Sequence, residues 1–200
     1  QIIPPGRQSP AGIGDAIIMA EDFVAGEPFV VAFGDTIVKS GSHAGLVRRL
    51  IKSHIKHESS CTIAVLEVDP QEVQHYGIVR PTRSGAQSDF QISGIVEKPT
   101  QEEAPSRLAV AARYIFNPEI FAALRRTSPG YGGELELTDA IATLIKMGYK
   151  VRCLRLKQDE VRYDIGSSIS YFKAFIDFSL SDQRHGYLLR QYLQQRLREF

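Results

Sequence analysis

From Pro28 to Gly34 the chain reads PFVVAFG, an apolar run without alternation. A strand with one wet face alternates apolar and polar residues, so an unbroken run fits a strand covered on both faces, as in a parallel sheet. CTIAVLEV, residues 61–68, is a second such run. Between them a helix is predicted from about Ser42 to His57, with Val47, Leu50, Ile51 and Ile55 as its apolar stripe. Strand, helix and strand in this order form a βαβ unit with a right-handed crossover. The chain is thereby directed towards an α/β sheet flanked by helices. Such sheets bind ligands beyond the carboxyl ends of their strands, which is where Gly34-Asp35 lies.

The rest of the chain extends this frame. Residues 1–15, QIIPPGRQSPAGIGD, read as a loop, and Ala16–Val24 as a helix with Ile17, Ala20 and Phe23 or Val24 on one side. Tyr76–Arg80, Phe90–Glu97 and Leu108–Phe116 are predicted strands, mixed or antiparallel. Asn117 caps a helix with Pro118 at its first position. After the turn PGYGG, Thr138 is a candidate cap for a helix that buries Ala140, Ile141, Leu144 and Ile145 and ends at Gly148. VRCLRL is a further strand, and helices are predicted over about 167–180 and 182–200. In the last, Leu189, Leu193, Leu197 and Phe200 share a face that can pack on its own domain or form a homo-oligomer contact.

Two hundred residues suit one domain or two small lobes. Twenty-four basic against 23 acidic residues give a net charge of +1, which excludes a strongly basic nucleic-acid binder. Arg48, Arg49, Lys52 and Lys56 read as a solvated helix face. Cys61 and Cys153 sit in apolar runs and are expected as buried thiols rather than a disulfide. No apolar run approaches the ~18 residues of a membrane span, and no signal peptide opens the chain, so a cytoplasmic protein without a membrane partner is expected.

Four places can carry chemistry. Asp35 and Asp164 both follow strands. Carboxylates at strand ends can share a hard divalent cation such as Mg2+, although each position equally suits a turn or cap. Gly166, Ser167 and Ser168 at a helix start can donate backbone N–H groups to an anion or simply cap the helix. In Glu97-Lys98-Pro99 the glutamate can accept sugar hydroxyls and the lysine can pair with a phosphate, or the two can form an ion pair at a sheet rim. Gly12 and Gly14 permit close backbone approach to a base or phosphate, or belong to a plain loop. The histidines form no HExxH pattern, and no serine has a G-x-S-x-G context.

In their order, GIGDAIIMAEDFVAGEPFVVAFGDTIV, HYGIV, GIVEKP, EEAPSRLAVAARYIFNPEIFAAL, PGYGGELELTDAI and RYDIGSSISYFKAFIDFSL resemble the sugar-nucleotide pyrophosphorylases, a nucleotidyltransferase family. The likeness is strongest to the branch that joins UTP to glucose 1-phosphate. It implies a Rossmann-like mixed sheet flanked by helices and followed by C-terminal helices. The domain would occupy residues 1–180, with a C-terminal helix over 181–200. By the same resemblance Asp35 and Asp164 hold the catalytic magnesium, Glu97 grips the glucose hydroxyls and Lys98 the sugar phosphate. Gly77 is the backbone that approaches the sugar, and Gly12 backs the nucleobase. The family's base-reading glutamine has no counterpart in register: Arg7 takes its slot and Gln8 lies one place on.

The implied reaction gives UDP-glucose and pyrophosphate from UTP and glucose 1-phosphate. The family's opening strand, arginine-bearing glycine-rich loop and following lysine have no match in these 200 residues. The resemblance therefore implies an N-terminally incomplete sheet, and a full reaction only in a longer parent. A thymidylyltransferase on the same fold and a non-catalytic sugar-nucleotide-binding or assembly subunit are the competing expectations.

Overall fold

The computed structural model describes residues 3, 6, 10–40, 45–83, 85, 87–130 and 132–199. Arg7, Gln8, Ser42, His43, Tyr131 and Phe200 lie outside the described residues. In chain order the elements are α1 (Ile13–Ile18), α2 (Glu21–Val24), β1 (Phe29–Ala32), β2 (Thr36–Ser40), α3 (Leu46–His57), β3 (Cys61–Glu67), β4 (Gly77–Pro81), β5 (Asp89–Glu97), β6 (Leu108–Phe116), α4 (Glu119–Arg126), α5 (Leu137–Lys146), β7 (Val151–Arg155), β8 (Glu160–Asp164), α6 (Ser168–Leu180) and α7 (Gly186–Arg196). A 3-10 turn spans Pro70–His75. Two compact units result: Gln1–Ala32 with Ser40–Asp159, and Phe33–Lys39 with Glu160–Phe200.

The first unit is built on a six-stranded sheet in the order β1-β6-β3-β7-β5-β4. Among the described residues only β3 and β7 of this sheet pair in parallel, and its other pairings are antiparallel. β4 returns to meet β6 at Ile78↔Ala109, so the sheet curls towards itself. This is the expected mixed α/β sheet, with one correction. β1 and β3 do not adjoin: β6 runs between them, antiparallel to both, so the strand–helix–strand crossover skips a strand.

The core lies where β3 and β6 meet the helices. Ile63, Val65, Phe116, Ile120, Phe121, Leu124, Ile141 and Leu144 are all buried. Phe29 stacks on Phe121 with ring centroids 5.3 Å apart, tying β1 to α4. Glu21 accepts two hydrogen bonds from Arg125, at 2.6 and 2.7 Å, between α2 and α4.

Several apolar faces differ from expectation. β1 is an edge strand, and its residues alternate between half-buried and exposed, with Val30 at 44%. One face rests on Phe116 and Phe121, and among the described residues the other is not covered. α3 buries Leu46, Leu50, Ser53 and His54, so Val47, Ile51 and Ile55 of the expected stripe stand exposed. The buried face combines Leu46 and Leu50 with polar partners: His54 shares hydrogen bonds with Thr62 Oγ1 at 3.0 Å and Asn117 Oδ1 at 2.9 Å. The predicted helix over 16–24 is two short helices, and Phe23 is exposed. Thr138 lies buried within α5, whose N-cap position is Glu136. Cys61 and Cys153 are free and buried as expected, and burial pushes both thiols up, towards the inert protonated form.

The second unit pairs β2 with β8 in a two-stranded sheet and carries α6 and α7. α6 starts with a capping box in which the Ser167 side chain accepts from Ser170 N. α7 is shorter than the predicted 182–200, and Leu197 is exposed. Among the described residues no helix is long and apolar enough to cross a membrane.

Candidate functional site

The expected residues fall into two groups, one in each unit. In the second unit, Asp35 immediately precedes β2 and Asp164 ends β8. The pairing of these strands brings together two carboxylates far apart in sequence. Ile165 N donates to Asp35 O at 2.7 Å, fixing the end of β8 against the start of β2. Gly166 lies between the side chains. A Cβ at that position would stand 3.2 Å from Asp164 Oδ1 and 4.0 Å from Asp35 Oδ2. Glycine thus leaves open a small cradle faced by both carboxylates.

Asp164 Oδ1 accepts from Gly166 N at 3.1 Å and Oδ2 from Arg162 Nη2 at 3.3 Å. Asp35 Oδ1 accepts from the Thr36 hydroxyl at 3.3 Å. These bonds hold the side chains while the Asp164 side chain remains 54% exposed. The donor set is all hard oxygen. Among the described residues no group of three or more His, Cys, Asp or Glu side chains could hold a metal. Two carboxylates suit an ion such as Mg2+, which keeps several waters and takes its remaining ligands from substrate phosphates. The residues present therefore fit that ion. Of the backbone donors expected at the helix start, Gly166 N–H serves Asp164 and Ser167 N–H serves the Ser170 hydroxyl, while the Ser167 hydroxyl caps α6.

The other group lies in the first unit. Gly77 and Glu97 are register partners in the β4–β5 pair, and Lys98 N donates to Tyr76 O at 3.0 Å. A Cβ on Gly77 would stand 2.9 Å from Thr138 Oγ1 and 3.3 Å from Glu97 Oε2, so glycine is required there for packing. Lys98 Nζ lies 3.6 Å from Glu97 Oε1. The backbone of Lys98 has φ +43°, in the left-handed region that L side chains rarely adopt. Sequence gave no warning of this, because the residue before a proline is ordinarily extended.

Glu97 and Lys98 open onto a cavity of about 640 Å³ whose lining includes Glu134, Glu136, Asp139 and Lys146. Burial raises the Glu136 pKa, and repulsion from Glu97 adds to the shift, while Lys98 opposes it. These three acidic residues were missed as candidates. Their signal was present in GGELELTDA, where Glu134, Glu136 and Asp139 follow a glycine-rich turn. Gly12, at φ +102°, lies in the same unit. Its missing Cβ makes room for Leu135 N, which would be 2.7 Å away. Leu135 N donates to Ala11 O, and Gly14 N to Leu135 O, so close backbone approach explains both glycines.

Residues 1–179 match the family described as nucleotidyl transferase. The chain belongs to that family. Among relatives of this nucleotidyl transferase chain, UTP–glucose-1-phosphate uridylyltransferase 1 of Streptococcus pyogenes serotype M1 is 39% identical over 190 residues. That alignment covers 94% of this chain and 61% of the relative, so the chain spans less than two thirds of that protein's length. Two solved structures share the fold. A UDP-glucose pyrophosphorylase complexed with UDP-glucose superposes with a TM-score of 0.78 at 34% identity, over 86% of this chain and 64% of that one. The UTP-bound enzyme from Acinetobacter baumannii gives 0.83 at 32% identity, over 93% and 62%.

Proposed function

We propose that this nucleotidyl transferase chain serves the transfer of a uridylyl group from UTP to glucose 1-phosphate, giving UDP-glucose and pyrophosphate. The observation that carries the reading is the convergence of Asp35 and Asp164 on Gly166. The uridylyl and glucosyl specificity is supported by similarity to the Streptococcus relative and to the structure complexed with UDP-glucose.

In this reading a phosphate oxygen of glucose 1-phosphate attacks the α-phosphorus of UTP, and the bond from that phosphorus to the pyrophosphate oxygen breaks. No protein nucleophile is needed, so the side chains position the reactants and balance charge. Asp35 and Asp164 would hold Mg2+, which when bound neutralises phosphate charge. Lys98 pairs with the sugar phosphate, Glu97 accepts sugar hydroxyls, and the Gly77 backbone, the strand partner of Glu97, approaches the ring. Gly12 backs the nucleobase. A cytoplasmic setting fits the two unpaired thiols.

The test is pyrophosphate release by the full-length protein that carries these residues, with Mg2+, glucose 1-phosphate and each nucleoside triphosphate in turn. Calorimetry of UDP-glucose on the 200-residue chain complements it. Turnover with UTP well above that with dTTP is expected. Preference for dTTP would overturn the uridylyl assignment, and binding without turnover in the full-length protein would overturn the enzymatic one.

A further inference from the structure

The first unit has a second cavity, of about 270 Å³, whose lining includes Arg80, Arg83, Arg107, Arg155, Ser106 and Glu67. Arg80 lies three residues beyond Gly77 along β4, roughly 10 Å at the rise of a strand, so the cavity is separate from the one beside Glu97. It lies where β3 and β7 end, at Glu67 and Arg155, and where β6 begins. β3 and β7 are the parallel pair of the sheet, and the carboxyl ends of such strands are where α/β sheets receive ligands.

The charge of the lining is one-sided. Four arginines and one glutamate line the cavity, and Glu67 is shared between Arg107 and Arg155. The formal excess is three positive charges, drawn from the ends of separate strands and loops. A solvated charged face repels itself outward; here the arginines line one concavity. Arg155 is half-buried over the Phe90 ring, 5.7 Å from its centroid, and its Nε is buried without a hydrogen-bond partner among the described residues. Phe90 itself is buried, so this guanidinium is held in place rather than free to swing.

We propose that this pocket binds a diphosphate group, either inorganic pyrophosphate or the diphosphate end of a nucleotide. Guanidinium forks match phosphate oxygens in pairs, and several forks around one concavity suit an anion with several charged oxygens better than a single carboxylate. The volume fits such a group and is small for a whole nucleotide, since pockets for drug-sized ligands run to about 300–1,000 Å³. Glu67 occupies guanidinium groups that the anion would take over.

The experiment is calorimetric titration of the chain with pyrophosphate, and separately with ADP, in metal-free buffer. Saturable binding that weakens with salt is expected. Arg80→Ala with Arg107→Ala should weaken it at least about tenfold, the scale of losing charge-assisted bonds. Both arginines are exposed, so the fold should survive, and circular dichroism checks this. Glu67→Gln should tighten binding, an effect that purely structural ion pairs would not produce. Lys98→Ala should leave it unchanged, which separates this pocket from the sugar-phosphate site proposed above. Binding of both ligands assigns the shared diphosphate; binding of pyrophosphate alone assigns the free anion. Absence of saturable binding, indifference to the double arginine variant, or loss in Lys98→Ala would overturn the proposal.

Discussion

The two units hold their candidate residues by different means. In the first, Glu97 and Lys98 stand at the rim of a sheet whose inner strands are almost wholly buried. Their positions follow from the core beneath them. In the second, Asp35 and Asp164 sit on a two-stranded sheet, and the only buried residue of α6 is Ala174. There the geometry is set by a few local bonds: Ile165 N to Asp35 O, Gly166 N to Asp164 Oδ1 and the Ser167 cap. One group depends on a packed core and the other on a short hydrogen-bonded corner. They should fail differently when altered.

Leu50→Ala tests the core side of this contrast. Leu50 is fully buried, and removing its side chain should cost about 2–5 kcal/mol in denaturant unfolding. Hydrogen exchange on this variant sharpens the comparison. If amides of α6 lose protection together with those of β3 and β6, the two units unfold as one, and the contrast fails.

Asp164→Asn tests the corner. Pyrophosphate release by the full-length protein should fall about 10²–10³-fold, the scale of removing one preorganised electrostatic group, with the unfolding midpoint nearly unchanged. A large loss of stability would mean that the carboxylate serves the fold. Gly77→Ala probes the join between core and site. Its Cβ would press on Thr138 Oγ1 at 2.9 Å, so about 1–3 kcal/mol of overpacking is expected, with weakened UDP-glucose binding.

Ser167→Ala should cost about 1 kcal/mol and fray the start of α6, read as faster exchange of the Ser170 amide. The smallest effect concerns Glu136. Its pKa is raised above the ordinary 4.5, so the folded state resists ionisation more than the unfolded state does. The resulting penalty is absent below the ordinary value and grows as pH rises through the raised one. Glu136→Gln should therefore be slightly more stable than the parent at neutral pH. The difference should vanish as pH falls below 4.5, as followed by thermal unfolding across pH.

Much of this was legible in the residues. β6 falls at the predicted Leu108–Phe116, and β3, β5, β7 and α6 fall within a few residues of prediction, because periodicity and capping residues are local signals. The exposed stripe of α3 was not legible. Val47, Ile51 and Ile55 are apolar yet exposed, while His54 is buried and bonds to Thr62 and Asn117, partners distant in sequence that no local pattern records. The one-sided cover of β1 likewise depends on its place at the sheet edge, which no local pattern records.

By itself the sequence determined where most strands and helices of the six-stranded sheet unit fall, though not β2 and β8, and which residue types could bind a metal, a sugar or a phosphate. Those properties depend on neighbours a few positions away. Only the tertiary structure decided that Asp35 and Asp164 face one glycine, that Glu136 and Asp139 share a cavity with Lys98, and that four arginines line a single pocket. Each of these juxtapositions joins residues distant along the chain. Strand order and register set them, and those are chosen by the packing of the whole sheet.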